Sequence, residues 1–391
     1  MRRMPTRVRG IDVVRGLVMV LMAVDHVRVF AGVPAGGPTP GVFFTRWITH
    51  FCAPGFLFLA GTAVYLRAAR RAGQGAESWH LVTRGLFLVV LELTVLRAAW
   101  TFNADLWNYN LAGVIWLIGW CLVGLAVLVR LPLGVVAAIG AAIVAGHNVW
   151  GPAVFGDDAM VGGWVAQVLY TAGSFRVGGA GPRLVILYSL LPWIGVMALG
   201  FAFGRIAVRP PAERDRWCLA LGGAAIIAFL LLRTFNAYGD PRPWNPAPPG
   251  AVSAWAPVLS FLNTAKYPAS LQYLLMTLGP LLVAMPWLDR ARGWLSDALA
   301  LFGRVPLFYY LLHIPLIHLA ALAVSILRTG AVSPWLFANH PMEPGPPPPE
   351  AVWSLPLLYA VTVAVVVVLY WPCRWYAQVK QTRTHPLLSL V

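Results

Sequence analysis

Apolar runs of about 20 residues, the length that crosses the hydrocarbon core of a bilayer, recur along the chain between polar or Gly- and Pro-rich connections. Ten are legible, at residues 11–30, 46–68, 80–100, 109–129, 131–149, 183–207, 215–234, 267–288, 298–326 and 351–373. No period-two alternation recurs, so the pattern predicts helices rather than a barrel. The predicted fold is an all-α integral membrane protein, a polytopic bundle of about ten transmembrane helices. The fourth and fifth runs are joined only by the short stretch Arg130, Leu131, Pro132 at their boundary, which predicts a tight helical hairpin. The long connections are rich in Gly, Pro and Trp rather than Ser and charge, and so read as loops packed over helix ends. No soluble domain and no internal repeat is legible. Residues 1–391 read as a single transmembrane domain.

Composition agrees: 59% of the residues are hydrophobic and 11% charged, far from the balance of a soluble domain. The net charge of +15 would suggest nucleic acid in a soluble protein, but no basic face interleaved with aromatics lies outside the runs. Topology explains the charge instead. With the N-terminus inside and ten crossings, twenty of the 29 basic residues fall on the side of the termini and nine on the other. Cytoplasmic loops carry such an excess, so both termini are expected in the cytoplasm. The segment "MRRMPTRVRGIDVVRGLVMV" begins like a signal peptide, yet Asp12 and Arg15 interrupt its apolar part and no small-residue cleavage site follows. It reads as an uncleaved first span. Cys52, Cys121, Cys218 and Cys373 lie in apolar stretches without C-x-x-C spacing, which implies buried thiols and neither a disulfide framework nor a metal site.

Ionisable groups inside the runs mark candidate chemistry, because each is costly at membrane depth unless it faces a partner or a cavity. "GLVMVLMAVDHVRVFAG" supplies Asp25, His26 and Arg28 in the outer third of the first helix. Arg46 and His50 open the second, one helical turn apart and on one face. Glu92 lies midway along the third, His313 and His318 lie in the ninth with Pro315 between them, and Lys266 and Tyr267 open the eighth. Groups from five helices thus share the outer half of the membrane. Asp25 and Arg28, spaced i, i+3, also suit mutual neutralisation. Asp25 and His26 are consecutive, point about 100° apart, and need not form a pair. A neutral imidazole that takes a proton from a hydroxyl or amine, with cations stabilising a developing oxyanion, suits acyl transfer from a thioester. His50, His26, Asp25 and Arg46 are the candidate catalytic groups. Arg28, Glu92, Lys266, His313 and His318 are candidates for substrate binding. No phosphate-binding loop, nucleophile elbow or H-E-x-x-H motif is present. The small residues of "GVMALGFAFG" suit close helix packing.

"IDVVRGLVMVLMAVDHVR" followed by "FFTRWITHFCAPGFLFLAGTAVYL" resembles the opening of bacterial members of the heparan-alpha-glucosaminide N-acetyltransferase family. The likeness continues in "YSLLPWIGVMALGFAFGR", "FLNTAKYPASLQYLLMTLGP" and "FGRVPLFYYLLHIPLIH". It implies a membrane acetyltransferase that takes an acetyl group from acetyl-CoA and delivers it to an amino sugar across the membrane. In the lysosomal branch of that family a polar residue late in the first helix and a His in the following loop are active-site groups. The first position falls on His26 here, where that branch has Asn. The loop His has no counterpart: its place falls near Pro40, while His50 occupies a position that is acidic in that branch.

The expected partners are therefore acyl-CoA as donor substrate, with no metal, and a sugar or glycolipid acceptor of the cell envelope, in the inner membrane. Arg205, Arg209, Arg214 and Arg216 could meet the phosphates of CoA, although positive-inside topology explains the same residues. A proton-coupled transporter or flippase is the rival reading, since intramembrane His, Asp and Glu also relay protons. The absence of a legible inverted repeat weighs against it, and the cost of so many buried charges weighs against a purely structural role.

Overall fold

A computed structural model describes residues 8–37, 39–69, 74–155, 163–247 and 254–382. The helices are α1 Arg9–Phe30, α2 Pro40–Trp47, α3 Cys52–Ala68, α4 Gln74–Leu91, α5 Arg97–Thr101, α6 Val114–Leu128, α7 Leu133–Phe155, α8 Gly163–Ala166, α9 Leu190–Ala207, α10 Pro211–Thr234, α11 Ala256–Leu262, α12 Leu271–Arg290, α13 Trp294–Arg304, α14 Pro306–Thr329 and α15 Leu355–Thr382. A 3-10 turn, Ile48–Phe51, joins α2 to α3, and a wide π turn, Glu92–Leu96, joins α4 to α5. Among the described residues seven helices are long and apolar enough to cross a membrane: Pro40–Ala68, α7, α9, α10, α12, α14 and α15. The apolar α6 is shorter, at 15 residues. This is a multi-pass membrane protein.

The most extensive helix contacts pair α3 with α9, α4 with α6, α10 with α12, α1 with α13 and α7 with α9. α1 also touches α3, α12, α14 and α15. Its buried residues include Asp12, Val13, Val14, Met22, Ala23 and Val24, and so lie all around the helix, as expected of a span enclosed by protein. Its charges therefore face other helices rather than lipid. Two glycines show how closely the backbones approach. A Cβ at Gly16 would lie 1.8 Å from the Leu299 carbonyl oxygen of α13, and one at Gly200 would lie 2.0 Å from that of Phe58 on α3. The second lies in the small-residue stretch that suggested close packing.

Three runs differ in kind from the reading of the sequence. Residues 110–112 and 183–186, expected to open helices, are strands: β1 Asn110–Ala112, β2 Gly173–Arg176 and β3 Arg183–Ile186 form a sheet of order β1-β3-β2. β1 runs parallel to β3, with Asn110 opposite Leu184, and β2 runs antiparallel to it. Strands of three or four residues are too short for a period-two pattern to register. The run 298–326 is divided at Val305 (φ −129°, ψ 49°), because the ring of Pro306 disfavours the helical conformation in the residue before it. Pro306 then starts α14, where no backbone N–H is needed.

The sheet and the long connections gather at one end of the bundle. There Arg183 pairs with Glu343 at 2.8 Å, and the Asn103 side chain donates to the Phe337 carbonyl. Two buried guanidiniums hold this layer together. Arg97 donates to the carbonyls of Tyr109 and Asn103 and to the Asn103 side chain. Arg233 donates to the carbonyls of Phe261, Arg242, Ser260 and Asn263, at 2.7 to 3.2 Å.

Candidate active site

His26, late in α1, meets His313 of α14: Nδ1 of His26 and Nε2 of His313 are 2.6 Å apart. The other nitrogen of His313, Nδ1, faces two carbonyl oxygens, at 2.7 Å from Tyr310 and 3.2 Å from Tyr309. Carbonyls only accept, so His313 carries its proton on Nδ1 and accepts at Nε2. His26 must then donate from Nδ1, which leaves the lone pair of its Nε2 available. No described residue bonds that nitrogen. Trp100 and Tyr310 pack edge-on to the His26 ring, at 4.8 and 6.0 Å between centroids.

Asp25 does not pair with His26. Its carboxylate accepts from Arg28 Nε at 3.0 Å and lies 3.9 Å from Arg46 Nε. Arg28 also donates to the Val33 carbonyl, and Arg46 to the Thr49 hydroxyl. Lys266 comes from the turn before α12. Asp240 fixes that turn by accepting from the Ala265 N–H and the Ser270 hydroxyl, and Ser270 caps the helix by accepting from the Tyr273 N–H. α12 therefore begins four residues later than the apolar run suggested. The Lys266 ammonium lies 5.8 and 5.2 Å from the ring centroids of Tyr188 and Tyr267, is 6% exposed, and has no carboxylate partner among the described residues. Asp25, His26, Thr49, Cys52, Tyr188 and Lys266 line a cavity of about 30 Å³, room for one water.

His50 is outside this lining. It lies in the 3-10 turn Ile48–Phe51, which advances about 120° per residue rather than the 100° of an α-helix. The His50 carbonyl accepts from the Tyr273 hydroxyl at 2.8 Å, its ring packs edge-on to Tyr273, and its Nδ1 is buried without a partner. Glu92 is also elsewhere. It accepts from the N–H groups of Ile115 and Trp116, at 2.8 and 3.2 Å, and so caps α6 from a neighbouring helix. His318 bonds the Ala99 carbonyl and stacks on Phe102 at 3.8 Å, within an aromatic cluster with Phe30 and Phe337. Packing holds it there, away from the cavity. Of nine candidate residues, Asp25, His26, Arg28, Arg46, Lys266 and His313 are brought together. Asp25, His26 and Lys266 line the cavity itself, His50 sits beside Tyr273, and Glu92 and His318 are held at other helices.

A larger pocket, of about 290 Å³, opens at the opposite end of the bundle, where α1 begins. Its shaft is apolar, and Arg15, Arg67, Arg84, Arg304 and Lys380 surround it. Arg67 is paired with Glu77 at 2.6 Å. Arg84 and Arg304 form no ion pair or hydrogen bond among the described residues, and the Nε of each is buried without a partner. Phe56 and Val114 line both this pocket and the His26 cavity, and Tyr310 lines the pocket while touching His26 and His313. The reading of the sequence missed this pocket, since it took the same cations as markers of topology. Two signals were present: Arg84 stands inside an apolar run, and Arg304 sits directly before the Val-Pro break.

Residues 7–233 match the family described as heparan-alpha-glucosaminide N-acetyltransferase, catalytic. The chain belongs to that family. Membership implies acyltransferase chemistry of the acetyltransferase type, in a membrane protein. No curated protein matches the chain. The segment that matches the heparan-alpha-glucosaminide N-acetyltransferase family spans α1 to α10 and so carries Arg15, His26, Arg46, His50 and Arg84. Lys266 and Arg304, which line the two cavities, and His313, which meets His26, follow it in the chain.

Proposed function

We propose that this protein moves an acetyl or other acyl group from acyl-CoA to an amine or hydroxyl of an envelope glycan or glycolipid. In this reading the chain crosses an inner membrane ten times, with α13 and α14 counted as one, and the excess of basic residues on the side of the termini supports a cytoplasmic location for both. The cationic pocket then opens to the cytoplasm, where acyl-CoA is made. Its guanidiniums and Lys380 receive the phosphates of CoA, and the pantetheine arm follows the apolar shaft towards His26. The observation that carries this reading is the pair of unpartnered guanidiniums, Arg84 and Arg304, in a pocket that shares walls with the His26 cavity. Arg84 and Arg304 are half-buried with their Nε atoms fully buried; cations so placed are normally paired, and a polyphosphate chain supplies the missing anions. By contrast Arg209 and Arg214, the other basic cluster, are already occupied by Glu213 and Asp289.

In the transfer step His26 Nε2 takes the proton from the acceptor N–H or O–H as the acceptor atom attacks the thioester carbonyl. The new C–N or C–O bond forms, the C–S bond breaks, and the thiolate leaves with the proton from His26. His313 orients the base and shares the positive charge it gains, the part a carboxylate plays in other base–orienter pairs. Lys266, held over two tyrosines, and Arg46 stabilise the oxyanion. Asp25 holds the two guanidiniums in place, and His50 contacts the acceptor.

The test is release of CoA from acetyl-CoA by purified protein. His26→Ala should slow release by about 10²–10⁴ while acetyl-CoA still binds, and His50→Ala should cost less. Full turnover by His26→Ala would remove it as the base. Failure of the folded wild type to bind acetyl-CoA would return the reading to transport.

A further inference from the structure

A second groove lies on the lipid-facing side of the bundle. α9 and α12 form its floor and α7 and α10 its walls, and its volume is about 660 Å³. The walls are peripheral helices, mostly unburied along their apolar length, and no extensive contact joins them. Gly134 lines the groove, yet a Cβ built there meets nothing within 4 Å. The small residue leaves space instead of admitting another helix. Along α7 the groove runs from Leu133 to Val144, about 16 Å at helical rise, which is the depth of one leaflet. Its mouth, at the end where α1 begins, carries Arg205, Arg209 and Trp217. Arg209 is paired with Glu213 and lies 5.9 Å from the Trp217 ring centroid. Arg205 is exposed and has no ion pair or hydrogen bond among the described residues.

An apolar shaft one leaflet deep, an interfacial Trp and an uncommitted guanidinium at its mouth match an anionic phospholipid in length, polarity and charge. We propose that this groove holds one anionic phospholipid of the leaflet on the side of the termini, with its phosphate on Arg205 and an acyl chain between α7 and α10. The groove shares no lining residue with either cavity described above. The site is therefore independent of the acyl-transfer reading.

The experiment is native mass spectrometry of the delipidated full chain in detergent, titrated with phosphatidylglycerol and with phosphatidylcholine of the same chains. One phosphatidylglycerol per chain should bind, with roughly fivefold to tenfold preference over phosphatidylcholine. Arg205→Gln should abolish the preference and Arg205→Lys restore it. Gly134→Leu, which fills the shaft without meeting a neighbour, should weaken binding of both lipids while the thermal midpoint is unchanged. Equal binding of the two lipids by the wild type, or a preference that survives Arg205→Gln, would overturn the proposal. So would a dimer that Gly134→Leu dissolves, since a second copy would then be the occupant.

Discussion

Arg97 and Arg233 at the sheet end, and Arg84 and Arg304 at the other, are the same side chain in opposite surroundings. The first two spend their donors on carbonyls of the connecting loops. The second two line a pocket with buried nitrogens that bond nothing described. A guanidinium offers five N–H donors in a fixed fork. Saturated by carbonyls, it cross-links irregular backbone that would otherwise be poorly satisfied. Left unsaturated, it is a ready receptor for an anion. The comparison separates what holds this molecule together from what it holds ready for a ligand.

The comparison is sharpened most by removing one guanidinium from each class. Arg233→Met strands the carbonyls that Arg233 serves and leaves the buried Asp240 carboxylate, 4.0 Å away, without its cation, a loss of about 3–5 kcal/mol. Against a total stability of about 5–15 kcal/mol, this should lower the thermal midpoint sharply and broaden the size-exclusion peak. Arg84→Gln should leave the midpoint unchanged or raise it, because no native partner is lost. It should instead weaken acetyl-CoA binding about tenfold, the worth of one charge-assisted hydrogen bond. Equal destabilisation by both variants would break the comparison.

Smaller effects come from groups that cap or pack. Glu92→Ala removes the acceptor for the first N–H groups of α6 and should cost about 1–2 kcal/mol, as loss of a helix cap does. Glu92→Gln keeps an acceptor and should cost less, by thermal unfolding. His340 lies in the connection after α14, against Phe30 and Trp335, with its Nε2 at the Trp335 carbonyl. Burial pushes its imidazole down to about 4 from the ordinary 6.5. The unfolded chain therefore binds the extra proton first, and the stability His340 contributes is fully present above about 6.5 and lost as pH falls towards 4. Amide exchange across residues 330–354 should accelerate over that window. His340→Phe should flatten the dependence.

The helical runs were legible because apolar length is a strong signal, and His26 was legible because it interrupts such a run. Its partner was not: His313 stands 287 positions away, and nothing local in "LLHIPLIH" separates it from His318, which packs among aromatics. The 3-10 turn that carries His50 has no residue signature, since Ile48, Thr49 and Phe51 suit an α-helix equally well. Charge counting saw all the arginines as one class, because whether carbonyls or open space meet a guanidinium is decided by contacts between distant elements. The catalytic and substrate roles given to Asp25, Arg46, His50 and Lys266 remain part of the proposal.

The central claim is that the unpartnered guanidiniums receive the donor. Calorimetry of acetyl-CoA with the wild type and with Arg84→Gln/Arg304→Gln, both checked for fold, tests it most directly. The account predicts measurable binding by the wild type, weakened about a hundredfold in the double variant if each guanidinium contributes one charge-assisted bond. Equal affinity in the two proteins would contradict it.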